Sequence, residues 1–193
     1  MDVSDMDRIY GSPANPNGEL DREWYEQNIV SVLLPYPMRR AGNESVVVRR
    51  VPFHRKKAYD LVAALRTAWY CARNLAAQQV DFESCKPAEW DELTMLKLRD
   101  DGLDLFGGSF CFRKIRRGAR PSEHARGTAI DIDPDGNPLG SQSTRMPGYA
   151  VAAFHAWGFV WGGDFADRRD PMHFQAAPPI AGDKREQRII LTQ

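Results

Sequence analysis

The sequence predicts an α+β domain: a small antiparallel sheet with helices packed mainly on one side. Three observations lead there. The strand-like stretches are short and irregularly spaced. They run in the order strand, helix, several strands, helix, strand, without the regular strand–helix rhythm of a parallel sheet. The 193 residues are 42% hydrophobic and 27% charged, which suits one globular domain that needs no covalent staples.

The elements follow in chain order. Residues 1–28 are rich in Gly, Pro, Asn and Asp with scattered aromatics, and read as an arm lying over a domain of residues 29–177. Val30 to Leu34 and Ser45 to Phe53 are β-like, the second through Val46-Val47-Val48, and "YPMRRAGNES" between them carries turn residues. Lys56 to Val80 holds no Gly or Pro. Its apolar residues Leu61, Val62, Leu65, Trp69, Ala72 and Leu75 recur near every 3.6 residues, which predicts a core helix. A short helix is expected around Ala88 to Leu93. Leu105 to Ile115 is strand-like after the break at Gly107-Gly108, and Thr128 to Asp133 alternates as a second strand. Pro147 to Trp157 is a short helix, with proline suited to its first turn and Gly158 to its end. Met172 to Ala176 is a last strand, and Pro178-Pro179 opens a polar tail over 178–193.

Composition excludes several functions. Lys+Arg and Asp+Glu both number 26, so a basic stripe for nucleic acid is not expected. No apolar run is long enough to span a membrane, and the polar, acidic N-terminus is unlike a secretory signal. Cys71, Cys85 and Cys111 are odd in number and lack a C-x-x-C spacing, which argues against a disulfide scaffold or thiolate zinc site.

The chemistry-bearing stretch is "SEHARGTAID", Ser122 to Asp131. Two metal readings compete there. Asp131 to Asn137, "DIDPDGN", imitates the first half of an EF-hand calcium loop. Its twelfth position is Gln142 instead of a closing Glu, and a strand precedes it instead of a helix. The other reading takes neutral imidazoles and a carboxylate as zinc ligands, three of which leave one position for water. His124 and Asp131 supply two, with Gly127 letting the chain turn between them. His54 and His155 are candidates for the third by type only, since one precedes the long helix and the other lies within the short one. His173, in "DPMHFQ", is the better third ligand. Asp170, held off α geometry by Pro171, would lie in the turn before the strand. There it would miss the ion and reach a water as a general base.

The ordered set S-x-H-x-x-G-x-A-x-D (Ser122, His124, Gly127, Ala129, Asp131), then Trp161-Gly162-Gly163-Asp164, then Asp170-Pro171-Met172-His173, resembles the zinc D-alanyl-D-alanine carboxypeptidase family. That family includes bacterial D,D-carboxypeptidases and phage L-alanyl-D-glutamate endolysins. The resemblance is dense from Leu105 to Ala177 and looser from Val30 to Val80. It implies an α+β fold like that of the hedgehog domain, with one Zn²⁺ per chain on His124, Asp131 and His173. It also implies Asp170 as catalytic base and Arg113 as the arginine that holds the substrate carbonyl or carboxylate. Ser122 and Trp161 fall on its substrate side. The expected activity is hydrolysis of peptidoglycan stem peptides by a monomer acting on the cell wall, at either the D-Ala-D-Ala or the L-Ala-D-Glu bond. The rival expectation is a metal-binding module of the same fold without turnover.

Overall fold

The computed structural model describes residues 3–78, 86–113 and 121–177. Helices α1 (Val3–Tyr10) and α2 (Arg22–Asn28) precede a hairpin of β1 (Ile29–Arg40) and β2 (Asn43–His54). Helices α3 (Arg55–Ala77) and α4 (Pro87–Asp100) lead to β3 (Leu105–Gly108). The four-residue α5 (Glu123–Arg126), β4 (Ala129–Ile132), α6 (Gly148–Ala156), β5 (Phe159–Trp161), a 3₁₀ turn (Gly162–Asp164) and β6 (His173–Ala176) follow. The tail expected over 178–193 lies outside the described residues.

The strands form one six-stranded sheet in the order β2-β1-β3-β4-β6-β5. The α+β class is as predicted. The sheet is mixed, however, because β3 pairs parallel to β1 while every other pairing is antiparallel. The excursion through α3 and α4 has the length to return the chain to the far side of β1 in the same direction, as a parallel pairing requires.

The hairpin is longer than its turn residues suggest. Only Ala41 and Gly42 turn, with Gly42 at φ +76°, and "YPMRR" continues β1. Pro35 and Pro37 cannot donate to a ladder. They fall where the β1–β2 register shifts between Leu33 and Met38, a place where a strand tolerates proline. Burial fixes the register: Val32, Leu34, Tyr36 and Met38 face inward in strict alternation. The strand expected over Leu105 to Ile115 stops at Gly108. The second predicted helix is α4, which runs well past Leu93. Trp90, Thr94 and Leu98 bury one stripe of it, and the Glu89 carboxylate caps it by accepting the Lys86 N–H at 2.8 Å.

α3 lays Leu61, Ala64, Leu65, Ala68 and Ala72 on the sheet, and α6 adds Ala150, Ala153 and Phe154. The alanines let helix and sheet approach closely. Each leucine buried this way contributes about 1.5–3 kcal/mol. The opposite face of β4 and β6 is thereby left to polar side chains. Cys71 and Cys111 carry free thiols, and Cys85 lies outside the described residues.

His54 is a structural histidine. Its backbone starts α3, its Nδ1 accepts the Lys56 N–H at 3.2 Å, and its Nε2 donates to the Tyr10 carbonyl at 3.2 Å. Full burial pushes its pKa down from 6.5 to about 4, with nearby Lys56 and Arg55 adding to the effect. The folded state thus keeps this ring neutral where the unfolded chain protonates it. Stability from His54 is complete above pH 6.5 and falls as pH drops toward 4, by about 2–3 kcal/mol. Denaturant titrations at pH 7 and pH 4.5 check this. His54→Asn, which keeps a cap, should lose less stability between the two than the unsubstituted chain.

Candidate metal centre and active site

β4 and β6 are antiparallel neighbours whose register sets Asp131 directly opposite His173. The two side chains therefore rise from one face as a cross-strand pair. His124 arrives from α5. Ser122 caps that helix, its hydroxyl accepting the Ala125 N–H at 3.3 Å. Gly127 ends it in the left-handed region at φ +67°. A Cβ there would also press on Ile29 Cδ1 at 2.6 Å and the His54 backbone nitrogen at 3.1 Å, so the conformation favours glycine and the tight space adds to it. This reversal carries His124 back over Asp131.

The three side chains converge. His124 Nε2 lies 3.1 Å from both Asp131 Oδ1 and His173 Nδ1, and His173 Nδ1 lies 2.9 Å from Asp131 Oδ1. Among the described residues they are the group placed to hold a metal ion. These separations approach the edge of a tetrahedron with metal bonds of 2.0–2.1 Å, about 3.3 Å.

The outward ring atoms decide the protonation. His124 Nδ1 is 2.5 Å from the Ser109 carbonyl oxygen, which accepts only. His173 Nε2 is 3.0 Å from Gln175 Oε1. With both outer nitrogens donating, each ring in its neutral form points a bare lone pair at the other ring and at a carboxylate oxygen. Three lone pairs facing one point repel unless a cation lies among them. Ser109 and Gln175 thus do what carbonyl partners do around a metal site, fixing tautomer and ring orientation. Without an ion, burial disfavours the Asp131 carboxylate, but hydrogen bonds from the two imidazoles outweigh it and hold its pKa well below the usual range. Burial likewise opposes a charge on His173, and Asp131 overcomes it, so this pKa is raised. A bound dication inverts that balance by taking the proton's place.

Asp170 occupies the turn before β6. Its N–H donates to the Gly162 carbonyl at 2.8 Å, and its own carbonyl accepts the His173 N–H at 2.9 Å. Trp161 braces the same turn, its indole N–H donating to the Pro171 carbonyl at 2.7 Å. Gly162 must lack a side chain here, since a Cβ would come within 2.5 Å of the Asp170 carbonyl oxygen. Gly163 must too, with the Trp161 ring 2.3 Å from where its Cβ would be. The Trp-Gly-Gly motif therefore packs the turn that sets the carboxylate. Asp170 Oδ1 is buried without a hydrogen-bond partner among the described residues. Burial raises its pKa, His173 draws it back down, and Asp131 adds to the rise. An orphaned carboxylate oxygen is costly to keep, which marks it as held for a ligand or a proton.

The remaining candidates are not part of the converging triad. Arg113 is exposed, and its carbonyl accepts the Ser122 N–H at 3.1 Å, which ties it to the start of α5. His155 is on the exposed side of α6, with Asp164 4.0 Å away. Asp133 closes a turn, its carboxylate accepting from Gly136 N–H and Asn137 Nδ2 at 3.1 Å each. The calcium-loop reading fails on this point, because Asp131 and Asp133 serve different places. Sequence reasoning missed Ser109 and Gln175. Gln175 carried a signal, since it lies two residues beyond His173 on the same strand face.

A family model described as D-alanyl-D-alanine carboxypeptidase matches residues 116–176, about a third of the chain. No curated protein and no solved structure matched. The matched stretch holds both histidines, Asp131, Asp170 and the Trp-Gly-Gly brace, so the segment that builds this site is similar to the D-alanyl-D-alanine carboxypeptidases, a peptidase family, as its motifs predict.

Proposed function

We propose that the protein is a zinc-dependent peptidase that hydrolyses peptidoglycan stem peptides. The convergence of two bare imidazole nitrogens and a carboxylate oxygen carries this reading. Two neutral imidazoles and one carboxylate fit Zn²⁺, and three protein ligands are what a catalytic site of that ion provides. Bound there, one Zn²⁺ per chain would supply a Lewis acid and make water acidic near neutral pH.

The chain's own residues supply the rest. Asp170 Oδ1 takes a proton from the attacking water and passes it to the leaving amine. Its lack of a hydrogen-bond partner among the described residues supports that role. Arg113 contributes a guanidinium for the charge that develops on the carbonyl oxygen; one such donor is typically worth about 10²–10³ in rate. Ser122 and Trp161 serve the substrate side indirectly, by holding α5 and the Asp170 turn. The bond cut is of the D-Ala-D-Ala or the L-Ala-D-Glu type. Among the described residues no helix is long and apolar enough to cross a membrane. We place the action of a monomer at the cell wall, reached by release or export. The rival, a binding module without turnover, has no use for a buried, unpaired carboxylate beside the triad.

Incubation of the zinc-loaded protein with purified peptidoglycan, followed by mass spectrometry of the new termini, tests this. Released D-alanine marks the first bond type, and new L-alanine carboxyl ends the second. Intact stem peptides would refute the activity. Arg113→Ala in the same digest should act more slowly while retaining its metal.

A further inference from the structure

α5 has only four residues, too few to hold its own shape. The placement of His124 therefore depends on what grips this helix from outside. Besides the Cys111 N–H on the His124 carbonyl at 3.0 Å, that grip includes Arg126, two residues from His124, whose side chain is 1% exposed. Its Nη1 donates to Glu123 Oε1 at 2.9 Å within α5. Its Nη2 and Nε donate to Asp7 Oδ1 at 2.6 and 3.2 Å. Asp7 lies on α1, remote along the chain.

α1 also touches the strand that carries His173. Met6 and Tyr10 are buried in one cluster with Ala176, the last residue of β6. Its end is pinned where the Tyr10 carbonyl accepts the Trp24 indole N–H at 2.9 Å and His54 Nε2 at 3.2 Å. One face of α1 thus bridges the two elements that bear the histidines.

We infer that Asp7 is a positioning residue for the metal centre: through the buried Arg126 guanidinium it fixes α5, and hence His124, against β6. The inference rests on the metal reading above. A buried guanidinium that loses one of its two carboxylates must find water or move, and Arg126 belongs to α5, so a shift of its side chain bears on the helix that carries His124.

The test measures Zn²⁺ affinity by chelator competition, the visible spectrum of the Co²⁺-substituted chain, and the Tm of the ion-free chain, all on the full-length protein. Asp7→Asn keeps the shape of a half-exposed side chain and removes its charge. It should weaken Zn²⁺ binding by up to about tenfold, the low end of the range for groups that hydrogen-bond a ligand directly, because Asp7 acts through Arg126, and shift the Co²⁺ bands. Asp7→Glu should restore most of the affinity. Trp24→Phe loosens the end of α1 without touching Arg126; it should lower Tm and leave the affinity within about twofold. Asp7→Asn with unchanged affinity and a lowered Tm would reduce Asp7 to a structural role. Equal loss of affinity in Trp24→Phe would move the effect from the ion pair to the docking of α1. Absence of Zn²⁺ binding by the unsubstituted chain would overturn the metal reading itself, a result distinct from either.

Discussion

His173→Ala is expected to strip the metal and bring peptide hydrolysis to background. Asp131 and His173 stand opposite each other on paired strands, and His124 reaches both within 3.1 Å. Deleting one ring leaves two ligands where a closed triad stood. Loss of the cation removes the agent that makes water nucleophilic at neutral pH, an effect far larger than that of any single hydrogen-bond donor. The loss also shows in stability. A ligand that binds only the folded state adds about 4 kcal/mol when present at a thousandfold excess over its Kd. Zinc should therefore raise the Tm of the unsubstituted chain and leave that of the variant unmoved. Acid should imitate the mutation, because the proton that Asp131 helps to keep on His173 competes with the ion for the same nitrogen. Metal content by elemental analysis, together with thermal melts with and without zinc, checks the prediction. Stoichiometric zinc in the purified variant would remove His173 from the ligand set.

Much of this site was legible because its chemistry lies in local patterns. His124, Gly127 and Asp131 fall within eight residues, and the glycine predicts the reversal that brings the ring back over the strand. Asp170-Pro171 predicts a non-helical turn, and the strand expected over Met172 to Ala176 is β6, which starts one residue later at His173. What stayed hidden is carried by backbone groups or distant pairs. The Ser109 carbonyl that orients His124 has no side-chain signature at all. Arg126 is buried, and its partner Asp7 on α1 is remote in sequence, so nothing local marks the pair. Trp161 read as a residue of the substrate side, whereas its indole is spent on the Pro171 carbonyl. In the fold, Pro37 lies in the stretch read as turn residues, yet the inward row from Val32 to Met38 keeps it in β1 by burial. The parallel β1–β3 contact depends on where two helices return the chain, which local sequence does not encode.

Asp170→Asn should retain zinc and lose about 10²–10⁴ in turnover, the usual worth of a positioned general base. The amide is nearly isosteric, and the turn is held by main-chain bonds to Gly162 and His173 that the substitution leaves intact. The fold and the triad should therefore survive, so metal content and Tm serve as controls. The pH profile separates a base from a bystander. Burial raises the Asp170 pKa above the ordinary carboxylate value, with Asp131 adding to the rise against the pull of His173. The unsubstituted protein should gain activity with rising pH as this carboxyl ionises, and that rise should be lost from the residual activity of Asp170→Asn over the pH range in which zinc stays bound. Near-normal turnover with the rise intact would show that the unpaired oxygen is not the proton acceptor, even with the metal in place. Turnover lost together with zinc would instead make Asp170 a part of the ion's own support. The distinction matters because Asp170 Oδ1 has no partner among the described residues. A carboxylate so placed receives a proton during the reaction, supports the ion, or costs the fold stability for nothing, and the three readings differ in this one variant.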